Sequence, residues 1–318
     1  MSFNDENIIE VKNLKKYFYS GLFQKECIKA VDGVSFCIPK GRTMGLVGES
    51  GSGKSTLGRC ILRLIKPSSG EVYFSGEDIL FKNGEPKQLR KQMQIIFQDS
   101  DGCLNPRMKA IDILLEPLRV NKFINSRERE PASELIKIVN LPEDLLNRYP
   151  NELSGGQRQR IAIARAISLK PTFIVADEAT ASLDMLGQSQ IMEVFKKLKL
   201  EYKTSFLNIS HNLNFIQRTT DIAAVMYSGR FVEMGKTKDI FNNPAHPYTR
   251  SLLSARLKVT SFSIKQNNRL NKKNFSNLTQ PVSGCSFYQY CPCRKSVCKD
   301  ESPSKKYVSD DHWILCCH

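Results

Sequence analysis

Gly48-Glu49-Ser50-Gly51-Ser52-Gly53-Lys54-Ser55, followed by Thr56, carries the spacing G-x-x-x-x-G-K-[ST]. The chemistry that needs this pattern is phosphate binding. Glycines let consecutive backbone N–H groups turn toward β- and γ-phosphates, and a following helix N-terminus adds partial positive charge. Lys54 neutralises phosphate, and the Ser55 hydroxyl is placed to ligate Mg²⁺. The pattern demands a strand before it and a helix after it, and both are legible. Thr43 to Val47 is apolar and strand-like, while from Ser55 onward Leu57, Ile61, Leu62 and Ile65 recur at helical spacing until Pro67 stops them.

Working outward, Ile8 to Val11, an alternating segment from Ile28 to Ile38, and Glu71 to Phe74 read as further strands. From about Asp99 to Arg148 the pattern becomes helical and polar, with Pro106, Pro117, Pro131 and Pro142 expected to divide it into short pieces. Two apolar strands follow, Phe173 to Ala176 and Ser205 to Ile209, separated by a helix carrying Ile191, Val194, Phe195 and Leu198 on one face. Strands alternating with helices imply an α/β fold with a mainly parallel core sheet. Ala223 to Met234, broken at Ser228-Gly229, reads as a hairpin.

Two more segments carry chemistry. Phe173-Ile-Val-Ala-Asp177-Glu178 is an apolar strand ending in two carboxylates, the first suited to holding Mg²⁺ and the second to polarising a water that attacks a γ-phosphate. Leu153-Ser154-Gly155-Gly156-Gln157 opens a helix bearing Ile161, Ala164 and Ile167, so Ser154 and the glycine amides form a second anion-binding helix start. One chain thus presents two phosphate-binding surfaces.

With those residues in view, the sequence resembles the ATP-binding subunits of ABC transporters. The resemblance implies a P-loop ABC ATPase fold with an antiparallel β subdomain, an α-helical subdomain at about 99–160 and an ATPase domain spanning 1–255. It further implies that ATP and Mg²⁺ bind between two subunits packed head to tail, each ATP lying between the Gly48–Thr56 loop of one and the partner-facing Ser154, Gly155, Gly156 and Gln157 of the other. Gln98, in Ile95-Ile-Phe-Gln98-Asp99, looks like the Q-loop residue that reaches Mg²⁺ and the attacking water. Ser182-Leu183-Asp184 looks like the D-loop, and His211 like the switch histidine that contacts the γ-phosphate. Phe18, with Tyr17 as the alternative, matches the aromatic that stacks on adenine. On this reading Glu178, His211 and Gln98 are catalytic, and Ser55, Gln98 and Asp177 hold Mg²⁺. Ala179 departs from the proline usual after the catalytic glutamate, a change expected to alter only the turn.

Longer matches narrow the subfamily. Tyr149 to Arg160, Leu104-Asn105-Pro106-Arg107 and Asn243 to Ala255 all look like the oligopeptide and dipeptide importers. That resemblance implies an importer of peptides, or alternatively of a nickel chelate or other small solute. It implies as partners a second, paralogous ATPase subunit and two membrane permease subunits, with an extracellular solute-binding protein acting indirectly. It also implies a C-terminal extension, 256–318, reached through a Lys-, Asn- and Ser-rich linker from Lys258 to Gln280. Six of the ten cysteines lie in that extension, and Cys285, Cys291, Cys298 and Cys317 match a four-cysteine pattern that in some members binds a 4Fe–4S cluster. Thiolates suit iron–sulfur and zinc alike, Cys293 and Cys316 lie beside these positions, and reduced structural cysteines are the remaining reading.

Composition sets bounds on all this. No run of eighteen apolar residues occurs, and the opening MSFNDENIIE lacks the regions of a signal peptide, so the chain is expected to be made and kept in the cytosol, where the resemblance implies a peripheral place on the cytoplasmic face of the membrane. The excess of 47 Lys and Arg over 32 Asp and Glu, +15, favours anionic partners. A soluble ABC ATPase acting on nucleic acid would use that charge, but such proteins carry long coiled-coil or zinc-bearing insertions or two ATPase domains. This chain has one motif set and no sustained heptad between Gln98 and Leu153, so no nucleic acid is expected. An unrelated P-loop kinase or GTPase would leave Leu153 to Gln157 and His211 without a role.

Overall fold

A computed structural model describes residues 7–20, 26–80, 86–98, 102–125, 128–181, 183–257 and 284–317. The linker expected from Lys258 to Gln280 lies outside the described residues, as do Asp99, Ser182 and His318. In chain order the strands are β1 (Asn7–Ser20), β2 (Glu26–Pro39), β3 (Thr43–Val47), β4 (Ser69–Phe74), β5 (Glu77–Asp78), β6 (Met93–Ile96), β7 (Phe173–Asp177), β8 (Ser205–Ile209), β9 (Ile222–Tyr227), β10 (Arg230–Lys236), β11 (Ser304–Ser309) and β12 (His312–Cys316). The helices are α1 (Lys54–Ile61), α2 (Pro86–Gln92), α3 (Ala110–Val120), α4 (Glu130–Ile138), α5 (Gly155–Ile167), α6 (Met185–Tyr202), α7 (Leu213–Thr219), α8 (Thr237–Asn242), α9 (Pro247–Leu257) and α10 (Val297–Asp300).

The chain divides into two compact units, one of residues 1–38, 44–81 and 210–318 and the other of 39–43 and 82–209. In the first, a four-stranded sheet runs β2-β1-β4-β5, with β4 antiparallel to β1. β1 extends well beyond the short strand expected at Ile8 to Val11. The register shifts between Lys12 and Lys15, and Asn13 sits at φ 46, so a bulge reverses the inward and outward alternation that would have marked the strand in sequence.

A second sheet in this unit places β11, β12, β10, β9 and β3 side by side. β3 and β9 pair in parallel and are buried along their whole length, which is why both read as unbroken apolar runs. β9 and β10 form the expected hairpin, turning through Ser228 and Gly229 at φ 47 and 81. The C-terminal cysteine-rich residues contribute a β-hairpin, β11–β12, which adds antiparallel to β10. The extension residues 284–317 therefore fold in the same unit as the Gly48–Thr56 loop.

In the second unit β6, β7 and β8 form a parallel sheet, and β7 and β8 are wholly buried. α6 buries the predicted Ile191, Val194, Phe195 and Leu198. α3 and α4 pack on α5, burying Leu114, Leu115, Leu135, Ile136, Ile161 and Ile163. Pro117 does not break α3 as expected. It lies inside the last turns, where its missing N–H removes one helical bond without stopping a helix already packed on its apolar face.

Glu233 on β10 is the polar centre of the first unit and is 0% exposed. Its carboxylate accepts the N–H groups of Ala245 at 2.7 Å and His246 at 2.9 Å, and the His312 Nε2 at 2.7 Å. It thereby joins the start of α9 and the C-terminal hairpin to one strand. Glu233→Ala would leave these buried donors without an acceptor and is expected to cost about 3 kcal/mol, read as a lowered urea midpoint, with Glu233→Gln falling between it and the wild type.

Candidate nucleotide site

The loop from Gly48 to Gly53 is a backbone cradle with no room for side chains at its ends. Gly48 and Gly53 sit at φ 150 and 105, and Gly51 at φ 81. A Cβ on Gly48 would meet the Met226 carbonyl oxygen at 2.2 Å, and one on Gly53 would meet that of Ala30 at 1.9 Å. Both obstacles are backbone and cannot swing aside. Gly53 caps α1, so the helix's first amides open onto the loop, as the sequence requires.

Lys54 is buried, and its Nζ donates to Gly48 O at 2.8 Å, Glu49 O at 2.7 Å and Ser52 Oγ at 3.2 Å. The ammonium is thus held across the loop by oxygens rather than left to wander on its four-carbon stem. Ser50 and Gly51 are exposed at the loop tip, while Ser55 and Thr56 are half-buried on the first turn of α1. Glu49 is half-buried, and burial raises its carboxyl while Lys54 opposes that. Its N–H donates to Tyr248 Oη at 3.1 Å, a contact that the sequence did not foreshadow.

Two candidate aromatics differ in what holds them. Tyr17 donates its hydroxyl to Asp32, and burial together with that carboxylate pushes the phenol up to about 12. Burial alone would raise Asp32, but Tyr17 and Arg230, whose Nε and Nη2 donate to it at 2.9 and 2.7 Å, hold it below the usual carboxylate range. Tyr17 is committed to this structural network. Phe18 is 38% exposed with Lys16 Nζ 4.8 Å from its ring centre. His211 is exposed in the turn between β8 and α7, and the Ser210 N–H donates to Leu46 O at 3.3 Å, tying that turn to the strand that feeds the phosphate loop.

In the second unit, Asp177 ends β7 buried and Glu178 follows half-buried at φ 51, a left-handed conformation unusual for a glutamate. Its N–H donates to Ile209 O at 2.8 Å and its carbonyl accepts from Ala181 at 3.0 Å, so the turn containing Ala179 is closed without a proline. Gln98 is exposed just beyond β6, and the fully buried Gln159 on α5 donates Nε2 to the neighbouring Phe97 carbonyl at 3.2 Å. Ser154 caps α5 as expected: its Oγ accepts from Gln157 N at 3.3 Å while Gln157 Oε1 accepts from Ser154 N at 2.9 Å. A Cβ on Gly155 would meet nothing within 4 Å, whereas one on Gly156 would press on Leu183 at 3.3 Å. Asp184 caps α6 by accepting from Gly187 N at 2.7 Å.

The cysteine-rich end departs from expectation. The Cys285 N–H donates to Cys298 O at 2.8 Å, and Cys317 Sγ donates to Glu301 O at 3.5 Å. Burial first, then the neighbouring Cys298, Cys285 and Cys316, push the Cys317 thiol up to about 12, and burial also raises Cys285 and Cys291. Among the described residues no three His, Cys, Asp or Glu side chains are arranged to hold a metal ion. The 4Fe–4S site expected on Cys285, Cys291, Cys298 and Cys317 is therefore not supported, because the described thiols do not converge in the arrangement that a shared metal centre needs.

The sequence model for the family described as ABC transporter matches residues 31–181, and that described as Oligopeptide/dipeptide transporter, C-terminal region, matches residues 232–298. The chain is 42% identical over 322 residues to the oligopeptide transport ATP-binding protein AppF of Bacillus subtilis (strain 168), with 98% of each covered. It belongs to the ATP-binding subunits of oligopeptide and dipeptide ABC importers. A second such relative, the dipeptide transport ATP-binding protein DppF of Haemophilus influenzae, is 40% identical over 316 residues, covering 98% of this chain and 96% of its own. Among solved structures, the dimeric ATP-binding cassette MJ0796 in a post-hydrolysis state bound to ADP and Pi is 31% identical with a TM-score of 0.66, over 72% of this chain and 98% of that one. The importer subunit is accordingly an ABC ATPase, and among the described residues no helix is long and apolar enough to cross a membrane.

The fit of the loop to its backbone neighbours predicts that Gly53→Ala costs about 3 kcal/mol through steric overlap and a disfavoured φ. Urea unfolding of the full chain should show it, whereas Gly155→Ala, with open space around it, should unfold like the wild type.

Proposed function

We propose that Gly48 to Thr56 hold the triphosphate of ATP, that Asp177 and Glu178 serve its hydrolysis, and that the energy released drives peptide import. The observation that carries this reading is the Lys54 ammonium clasped across a glycine cradle at the start of α1, since a fixed positive charge among inward-turned amides is what a polyphosphate requires. Phe18 offers the adenine platform, because Tyr17 is occupied by Asp32. Ser55, Gln98 and Asp177 offer a hydroxyl, an amide and a carboxylate, the hard oxygen donors that suit Mg²⁺. Bound there, Mg²⁺ would neutralise charge on the phosphate oxygens.

Glu178 accepts a hydrogen bond from the attacking water and draws off its proton, and its left-handed backbone, φ 51, marks the turn that ends β7. His211 serves the γ-phosphate from the turn anchored to β3. Ser154, Gly155, Gly156, Gln157 and Asp184 serve the nucleotide held by a partner ATPase, and the open surroundings of Gly155 suit the close approach of another subunit's phosphates. The partner is a paralogous ATPase, and the pair works against two membrane permease subunits fed by an extracellular binding protein, at the cytoplasmic face of the membrane. The relatives named for oligopeptide and dipeptide transport support peptides as the cargo.

Lys54→Ala should weaken ATP binding by at least about tenfold, the loss of a charged hydrogen-bonding group from a desolvated site. Binding of a fluorescent ATP analogue to the full chain measures this, and wild-type affinity would sink the loop assignment. Glu178→Gln should keep ATP binding but lower turnover by about a hundredfold or more, measured in the assembled transporter, where turnover near wild type would remove Glu178 from the mechanism.

A further inference from the structure

We propose that the C-terminal extension forms part of the scaffold of the ATP site, with Tyr248 as a positioning residue that fixes the phosphate loop and Phe287 of the extension holding Tyr248 in place. This rests on the reading of Gly48 to Thr56 as the phosphate site.

The peptide unit between Gly48 and Glu49 is a rigid plane with its carbonyl on one side and its N–H on the other. Lys54 Nζ donates to that carbonyl at 2.8 Å, and Tyr248 Oη accepts from that N–H at 3.1 Å. One plane is therefore held from both sides, by the residue that neutralises phosphate and by a tyrosine 199 positions away in sequence. Removing the hydroxyl lets the plane tilt, and the Lys54 anchor tilts with it.

The other end of the loop is fixed through the same cluster. Gly229, two residues beyond Tyr227, donates its N–H to Ser52 O at 3.0 Å. Tyr227 and Tyr248 pack ring to ring at 4.6 Å, and Phe287, 3% exposed, meets each of them edge-on at 5.4 Å. Phe287 is thus the wedge behind both contacts with the loop. It comes from the extension, whose hairpin is fastened to the same place by His312 on Glu233.

The backbone of Tyr248 is fixed as well. Its N–H donates to His246 Nδ1 at 3.1 Å, and the His246 N–H donates to Glu233. Burial pushes His246 down to about 4, and its other ring nitrogen meets the Leu315 carbonyl of β12, so the ring stays neutral with Nδ1 free to accept. Burial likewise raises Tyr248 and keeps its hydroxyl protonated. Tyr248, His246, Glu233 and Phe287 take no part in the ATP chemistry proposed above, and their contacts need no metal among the neighbouring cysteines.

Tyr248→Phe tests the proposal, because it removes one oxygen and leaves the ring packing. In the nucleotide-free full chain, amide hydrogen exchange in the segment 48–56 should speed up by about fivefold, with the segment 173–177 unchanged as internal reference. Affinity for a fluorescent ATP analogue should fall by about fivefold. In the assembled transporter KM for ATP should rise with kcat held, and the unfolding midpoint should stay near wild type. Phe287→Leu, which keeps the site filled, should speed the same exchange, whereas Phe287→Tyr, which restores a ring, should return it toward wild type. Wild-type exchange and affinity in Tyr248→Phe would overturn the proposal, as would accelerated exchange spread equally over both segments. Lys54→Ala separates the two readings: if it binds the analogue as the wild type does, the phosphate-site assignment fails, while the exchange measurement, made without nucleotide, still judges the role of Tyr248.

Discussion

The Met226 and Ala30 carbonyl oxygens leave no space for a β-carbon at Gly48 or Gly53, and much of the first unit is arranged around that closeness. A glycine loop is floppy by nature, since glycine loses more freedom on ordering than any other residue. Here the loop is ordered by what surrounds it: β2 on one side, the end of β9 on the other, Lys54 across its mouth and Tyr248 behind it. Contacts within the chain thus supply part of the ordering free energy that such a loop needs.

Two carboxylates in this unit each accept several hydrogen bonds and tie strands together. Glu233 receives two backbone amides and an imidazole, and Asp32 receives a phenol and a guanidinium. Each network joins segments far apart in sequence, Asp32 bringing β1, β2 and β10 together and Glu233 joining β10, α9 and β12. Such networks cost more when half-satisfied than an apolar packing would, so they fix a single arrangement of strands.

Sequence periodicity revealed the elements whose burial is simple. β3, β7, β8 and β9 are covered on both faces and read as apolar runs, and α6 shows its buried stripe. The glycine loop before α1 and the Ser154 cap were legible because their local geometry depends on neighbouring residues in the chain. β1 was cut short because the bulge at Asn13 shifts its alternation. Tyr248 was invisible because its partner is 199 residues distant. Cysteine spacing suggested a ligand set, but spacing does not report how thiols converge in space, and among the described residues no three such side chains are arranged to hold a metal ion.

The extension closes its sheet with β11, an outer strand whose residues are mostly exposed. An open strand edge is a template on which another chain can crystallise its own strand. Lys305 and Lys306 stand on that edge, Lys305 Nζ lying 4.4 Å from the Trp313 ring centre and Lys306 Nζ donating to Cys317 O at 3.1 Å. An incoming strand would have to strip these contacts and desolvate two ammonium groups. Part of the chain's excess positive charge therefore acts as a guard against self-association, letting this outer strand remain uncovered without seeding aggregates.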